Sequence, residues 1–433
     1  MFKTIIMAAF TVSVALTAVG ETFTVPSGKT QTIQSAIDIA ADGDEILVLP
    51  GTYLEHINYG GKTLVIKSAE GPESTIIDGQ NNAPTVVLTS GGELPGTSLD
   101  GFTIRNGKNG GGQNEFGGGV HVVSDASFQI DNCIIQNCTA SDSSGAGVYV
   151  KPASIEDRVF GMRNTTIKDS TATHWGGLIT IEASSTDTLI EGCFFSNGHS
   201  WNGSLYIGDV GDVGAEIVTF LHCTFYDCDG SKFGTLVHGA AIFDGCVFEE
   251  SHASGYNGWT GDAIAGGWFD WSDISIMNCV FLNNGGPVVS NEGAADDTGS
   301  VADSLFCSNG TPNINGNWSV ENVQELESCP EFIDCNEDGI ADWIQVVTHP
   351  EMDTNNNGIP DDCEVLLGAC CINGYAIELP QNDCDYVSGE FMGDGTDPTD
   401  VTCSLVCSED VNGDGLVNVS DIMAVLDVWG ACP

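Results

Sequence analysis

A four-residue phrase recurs along this chain and restricts it to an architecture of stacked turns. It reads Asn132-Cys133-Ile134-Ile135, Asn164-Thr165-Thr166-Ile167, Gly192-Cys193-Phe194-Phe195 and His222-Cys223-Thr224-Phe225. It returns as Gly245-Cys246-Val247-Phe248, Asn278-Cys279-Val280-Phe281 and Asp303-Ser304-Leu305-Phe306, with a forerunner at Gly101-Phe102-Thr103-Ile104. Successive copies are 31, 32, 28, 30, 23, 33 and 25 residues apart. A motif returning every 20–50 residues or so marks a solenoid, in which no single repeat buries its apolar face alone.

Within the phrase, the Cys and the residue two places on share one face of a strand, and the residue between them points the other way. Stacked strands lie about 4.8 Å apart, so like residues of successive coils form columns. Buried cysteine behaves as a small hydrophobe. Cys133, Cys193, Cys223, Cys246 and Cys279 are therefore expected to be an inward column beside one of Phe and Ile. The alternatives are disulfides or a metal site, but residues stacked directly along a sheet are poorly placed for disulfide geometry. Asn, Gly, Asp or His before the Cys suits a turn, because Asn and Asp bond their own backbone and Gly accepts positive φ.

The start of the chain extends the pattern. Thr32 to Ala40 reads as a short amphipathic helix with Ile33, Ala36, Ile37 and Ala40 on one face. Asp42-Gly43-Asp44 turns, Glu45–Leu49 is a strand and Pro50-Gly51-Thr52-Tyr53 a bend; Thr63–Lys67 and Ser74–Gly79 follow as strands. This order of helix, Gly-Asp turn and Pro-Gly-Thr-Tyr bend resembles the opening of the pectate-lyase-like, right-handed parallel β-helix superfamily. The resemblance spans roughly residues 24–325. It implies an all-β solenoid whose first coil is capped by the helix. Ahead of it, Lys3, the apolar run Ile5–Ala18 and the small residues Ala18-Val19-Gly20 predict a cleaved export signal over residues 1–20. The run is too short to span a bilayer.

Charge excludes one class of partner. The chain of 433 residues carries a net charge of −50 and only 11 Lys and Arg, the last being Lys232. From Phe233 onward there are 35 Asp and Glu and no Lys or Arg. Binding a phosphate backbone needs cations to release counterions, so no nucleic-acid partner is expected, whereas divalent cations are attracted.

The superfamily includes lyases, hydrolases and esterases of acidic glycans, but their motifs are fragmentary here. Val237-His238-Gly239 is a piece of one, Asp296-Asp297 has no neighbouring match, and an Arg-x-Lys element cannot follow Lys232. A lyase base has to come from Arg105, Lys108, Lys151, Arg158, Arg163, Lys168 or Lys232. Lys108, with Asn114-Glu115 nearby, faintly resembles the lysine-plus-calcium arrangement of alginate-lyase-like β-helices; a solvated loop lysine is the plainer reading. His174-Trp175, His199, Trp201, His252, Trp259, Trp268 and Trp271 place rings in loops, where they either pack or stack on sugars.

The tail has the clearest metal chemistry. Asp353, Asn355, Asn357, Ile359 (through its carbonyl), Asp361 and Glu364 occupy the ligand places of a twelve-residue calcium loop, with Gly358 at the sharp turn. Asp334, Asn336, Asp338 and Asp342 repeat the pattern, although its twelfth place holds Gln345. The pair resembles thrombospondin type 3 repeats. Asp410, Asn412, Asp414, Leu416, Asn418 and Asp421 form a third loop, followed by a helix over 421–429. It resembles one half of a type I dockerin, and a true dockerin has two. Between them lie the cysteines of a small module, Cys370, Cys371, Cys384, Cys403 and Cys407.

The expected organisation is a signal over 1–20, a β-helix over 21–325, calcium repeats over 326–367, a Cys-rich module over 368–407 and a terminal calcium loop over 408–433. The expected function is that of a secreted or cell-surface, Ca2+-stabilised β-helix that binds extracellular polysaccharide or a surface protein. The alternative is a lyase or hydrolase acting on acidic glycans such as pectin or alginate.

Overall fold

A computed structural model describes residues 20–403 apart from 83–84, 110–115, 124, 152–157, 183–187, 209–216, 232, 252–261, 267–272, 292–297, 337–339, 355–357, 364–366, 373–374, 388 and 395. The expected export signal, the expected third calcium loop and the helix expected after it lie outside these residues. No helix among the described residues is long and apolar enough to cross a membrane.

The repeat builds a right-handed parallel β-helix. Among the described residues, three parallel sheets of 12, 13 and 10 strands, here sheets I, II and III, run its length. One coil passes from Phe128–Asp131 in sheet I to Ile134–Gln136 in sheet II and Val148–Val150 in sheet III, then returns to sheet I at Phe160–Arg163. Strands in exact register stack the recurring phrase on itself. Ile104, Ile135, Ile167, Phe195, Phe225, Phe248, Phe281 and Phe306 pair in turn along sheet II. The phenylalanine rings are stacked with centroids 5.1, 4.5, 4.9 and 4.5 Å apart. The column ends where Glu325, exposed, takes the next place. The last coil thus puts a charge where a further apolar ring would invite another strand.

The cysteines of the phrase are buried and unpaired, as their column position implied. Their thiols donate to carbonyls two residues back, Cys133 to Asp131 and Cys279 to Met277, each at 3.1 Å. Burial pushes the Cys133 thiol up to about 12. A second set, which the phrase did not single out, sits five residues on: Cys138 and Cys228 are also buried and free. The residue before each phrase cysteine does adopt positive φ, among them Asn132 at 50°, His222 at 51° and Asn278 at 52°. Its amide bonds along the stack as well: Asn278 Nδ2 donates to Asp244 Oδ1 at 2.8 Å. Local turn preference and coil-to-coil bonding agree at this position, which fixes where each coil bends.

Helix α1, Ile33–Ile39, closes the first coil. Thr32 and Ser35 form a capping box, and Ile33, Ala36 and Ile37 join the main core. Glu55 accepts the Ile33 and Gln34 N–H groups at 3.0 Å each, while Lys62 Nζ donates to the carbonyls of Ile37, Asp38 and Ala40. Opposite charges therefore satisfy both ends of the helix. The Pro-Gly-Thr-Tyr stretch is not only a bend: Gly51–Tyr53 is the first strand of sheet II, because its backbone pairs with Thr75–Ile77.

The chain divides into two compact units, Met1–Ile333 with Ile340–Glu351, and Asp334–Gly339 with Met352–Pro433. The first unit ends in helix α2, Asp342–Thr348. Its Trp343, Ile344 and Val347 pack on a separate apolar cluster of Val280, Leu282, Leu305 and Cys307 on sheet II. A Cys307–Cys329 disulfide ties the same region. The second unit has a three-stranded antiparallel sheet with Leu367–Ile372 between Tyr375–Pro380 and Glu390–Asp394, and a short helix α3, Gln381–Tyr386. Disulfides Cys370–Cys384, Cys371–Cys403 and Cys335–Cys363 staple it. Its described core is little more than Ala369, Cys370, Cys371 and Cys384, so cross-links supply what apolar burial does not.

Candidate functional site

Sheet III carries a second recurring pattern that faces outward. Val120-His121-Val122, Val148-Tyr149-Val150, Ile179-Thr180-Ile181 and Leu205-Tyr206-Ile207 stack in register. The flanking aliphatic residues enter the main core, so alternation sends His121, Tyr149, Thr180 and Tyr206 to the outer face. Two residues further along the strands, Glu182, Gly208 and His238 form the next outer row.

These rows assemble an aromatic floor around a fixed carboxylate. Tyr149 is buried; its ring stacks on Phe116 at 4.3 Å and meets His121 edge-on at 5.2 Å. Its hydroxyl donates to Glu182 Oε1. Burial, and then this bond to an anion, raise the Tyr149 pKa far above the usual phenol range. Tyr149 therefore stays a donor and holds Glu182 in one orientation. A carboxylate accepts about four hydrogen bonds, so Glu182 keeps most of its capacity. In the next coil the Tyr206 ring lies across Gly208, where a Cβ would collide with it. Trp175 leans on Tyr206 at 4.6 Å, and His238 sits 5.5 Å from the same ring. Thr180 Oγ1 donates to the Trp175 carbonyl at 3.2 Å and fixes that turn. Trp175 and Tyr206 rest on Phe233, Leu236 and Ala265 and remain half-buried.

His121 is the buried base of the patch. Burial and the neighbouring Lys151 lower its pKa to about 4, so it is neutral at pH 7. Its Nε2 has no partner among the described residues.

The residues singled out from sequence fall elsewhere. Lys108 is exposed on the strand Lys108–Asn109, in a sheet II row that continues through Thr139, Thr171, His199 and Asp229. No ion pair among the described residues involves it; Asn114 and Glu115 lie outside them, as do Lys232, His252, Asp296, Asp297, Trp259, Trp268 and Trp271. Arg105 pairs with Asp78 at 2.7 Å and Arg163 with Glu191 at 3.2 Å. Arg158 Nε donates to the Asp125 carbonyl at 2.9 Å. Trp201 is exposed, and Trp175 belongs to the sheet III floor.

In the tail, Asp353 is buried and accepts the Gly358 N–H at 2.8 Å. That bond joins the residues at the first and sixth places of the expected loop. Asp361 accepts from the Thr354 N–H at 3.1 Å and from its hydroxyl at 2.7 Å. Ile359 is exposed. Asn355, Asn357 and Glu364 lie outside the described residues, as do Asp338 of the first loop and Asp410, Asn412, Asp414, Leu416, Asn418 and Asp421 of the third. Asp334 and Asn336 belong to the second unit, whereas Asp342 opens α2 in the first, its N–H donating to the Ile333 carbonyl at 2.7 Å. The buried acceptor oxygens of Asp353 fit a hard cation.

No protein-family model and no curated protein matches this chain. Solved structures share its winding. A GH87 α-1,3-glucanase catalytic domain in complex with tetrasaccharides is 12% identical at a TM-score of 0.38, covering 71% of this chain and 70% of that one. The Aspergillus niger pectin methylesterase is 11% identical at 0.31, covering 77% and 94%. The rice weevil pectin methyl esterase is 13% identical at 0.31, covering 71% and 88%. Likeness at this level carries no chemistry.

Proposed function

We propose that this chain is an exported, calcium-stapled β-helix that binds extracellular polysaccharide on the outer face of sheet III. The carrying observation is the Tyr206 ring laid over Gly208, with Trp175 against it and the Tyr149-held Glu182 in the adjacent register position. A flat, half-exposed ring offers a stacking surface for the C–H face of a sugar, and a fixed carboxylate orients its hydroxyls. The repeat helps: a linear glycan parallel to the axis meets new side chains from each coil. Among the described residues, the groups assembled here are one carboxylate, Glu182, and the rings beside it. Binding is the reading they support.

The four disulfides among the described residues suit an oxidising compartment outside the cell, and the loop around Asp353 suits Ca2+. Affinity electrophoresis of the full chain through gels containing different polysaccharides tests the binding reading. Trp175→Ala and Tyr206→Ala should each abolish retardation while leaving circular dichroism unchanged, since each ring contributes about 1–2 kcal/mol of stacking and burial. Retardation that survives both changes contradicts it.

A further inference from the structure

We infer that the sheet III face selects uncharged, hydroxyl-rich glycans and rejects polyuronates. This rests on the glycan-binding reading and adds the class of ligand. The argument starts from what the face presents. Glu182 is oriented as an acceptor, because Tyr149 donates its only hydroxyl proton to it. The rings of Tyr206, Trp175 and Phe116 add apolar and π surface. A matching ligand therefore donates hydrogen bonds to Glu182 and lays C–H groups on the rings. Neutral sugars with adjacent hydroxyls do both.

A uronate polymer meets the opposite situation. Lying along the axis, it brings one carboxylate per sugar, and one of them must approach Glu182. Lys151, placed beside Glu182 by the Val150–Ile181 pairing, supplies one positive charge. Past Lys232, which directly precedes the strand Phe233–His238, the sequence contains no Lys or Arg. Successive uronates would run into an increasingly acidic surface on a chain of net charge −50, and like charges brought together without partners oppose binding. Tyr149 is a positioning residue here, acting through Glu182.

The experiment uses the full chain in gels of neutral polymers (a β-glucan, a xylan, a galactomannan) and of polygalacturonate or alginate, at physiological salt. Retardation by at least one neutral polymer and by neither uronate is expected. Glu182→Gln should weaken neutral binding about tenfold, as expected for loss of a charge-assisted hydrogen bond. Tyr149→Phe should weaken it less, because the carboxylate remains but loses its orientation. Circular dichroism confirms that both variants fold. Equal retardation by uronate and neutral polymers overturns the selectivity and leaves glycan binding standing. Retardation by neither overturns both. Unchanged neutral binding in Glu182→Gln removes Glu182 from the site and overturns the inference.

Discussion

At His121, a single side chain couples the site to acidity. In the unfolded chain its pKa is near 6.5, and in the fold burial and Lys151 hold it at about 4. Between these values the unfolded state binds a proton that the native state refuses. The sign follows: the contribution of a neutral buried imidazole is complete above pH 6.5 and is lost as pH falls towards 4. The shift corresponds to about 3 kcal/mol. Denaturant melts at pH 7.5 and pH 4.5 should therefore show wild type losing more stability than His121→Phe, whose ring suits the pocket of Phe116 and Tyr149. The two chains share all 61 carboxylates, so their difference isolates the imidazole. Equal losses would place its protonation outside the folding equilibrium.

Among the elements, α2 shows how one short segment can carry both a metal-loop pattern and an apolar packing face. The run Asp334–Asp342 reads as a calcium loop; its ninth place, Asp342, begins the helix, and its twelfth, Gln345, is buried within it. Trp343, Ile344 and Val347 have the spacing of an apolar face, and sheet II offers Val280, Leu282 and Leu305 to receive them. Ile344→Ala should cost about 1–2 kcal/mol of docking for this half-buried side chain. Hydrogen exchange should then quicken in 342–348 and in the strands Val280–Leu282 and Leu305–Cys307, but not in Phe160–Arg163. Unchanged exchange over 342–348 would mean that the helix does not depend on this contact. The same element explains what sequence revealed. Sheet II and its turns were readable because Cys, Phe and the preceding Asn or Gly recur as a phrase. The sheet III site was not, because His121, Tyr149, Glu182, Tyr206 and His238 belong to five different coils and share no common letter. Only parallel register brings them together. The available signal was positional: one polar or aromatic residue between two aliphatic ones, once per coil.

For the molecule as a whole, charge and metal have to be separated. A net charge of −50, with 35 acidic residues and no Lys or Arg beyond Lys232, loads the folded chain with self-repulsion. Salt relieves this by screening, with a Debye length of about 8 Å at physiological ionic strength and about 3 Å at 1 M. Any cation therefore stabilises the protein to some degree, and a rise in melting temperature with calcium proves nothing alone. A bound ion behaves differently. It adds stability with the logarithm of its concentration over its dissociation constant, about 2.7 kcal/mol at a hundredfold excess. The loop closed by Asp353 and Gly358 places a buried carboxylate where such an ion would sit. In EDTA, the melting temperature should climb gradually as NaCl is raised. Millimolar CaCl2 should then add a further rise in the second unit that MgCl2 at the same ionic strength does not reproduce. Asp353→Asn should remove that extra rise and keep the response to NaCl. If calcium and magnesium act alike in wild type, the acidic tail is a screened polyanion, and the disulfides alone hold its small core.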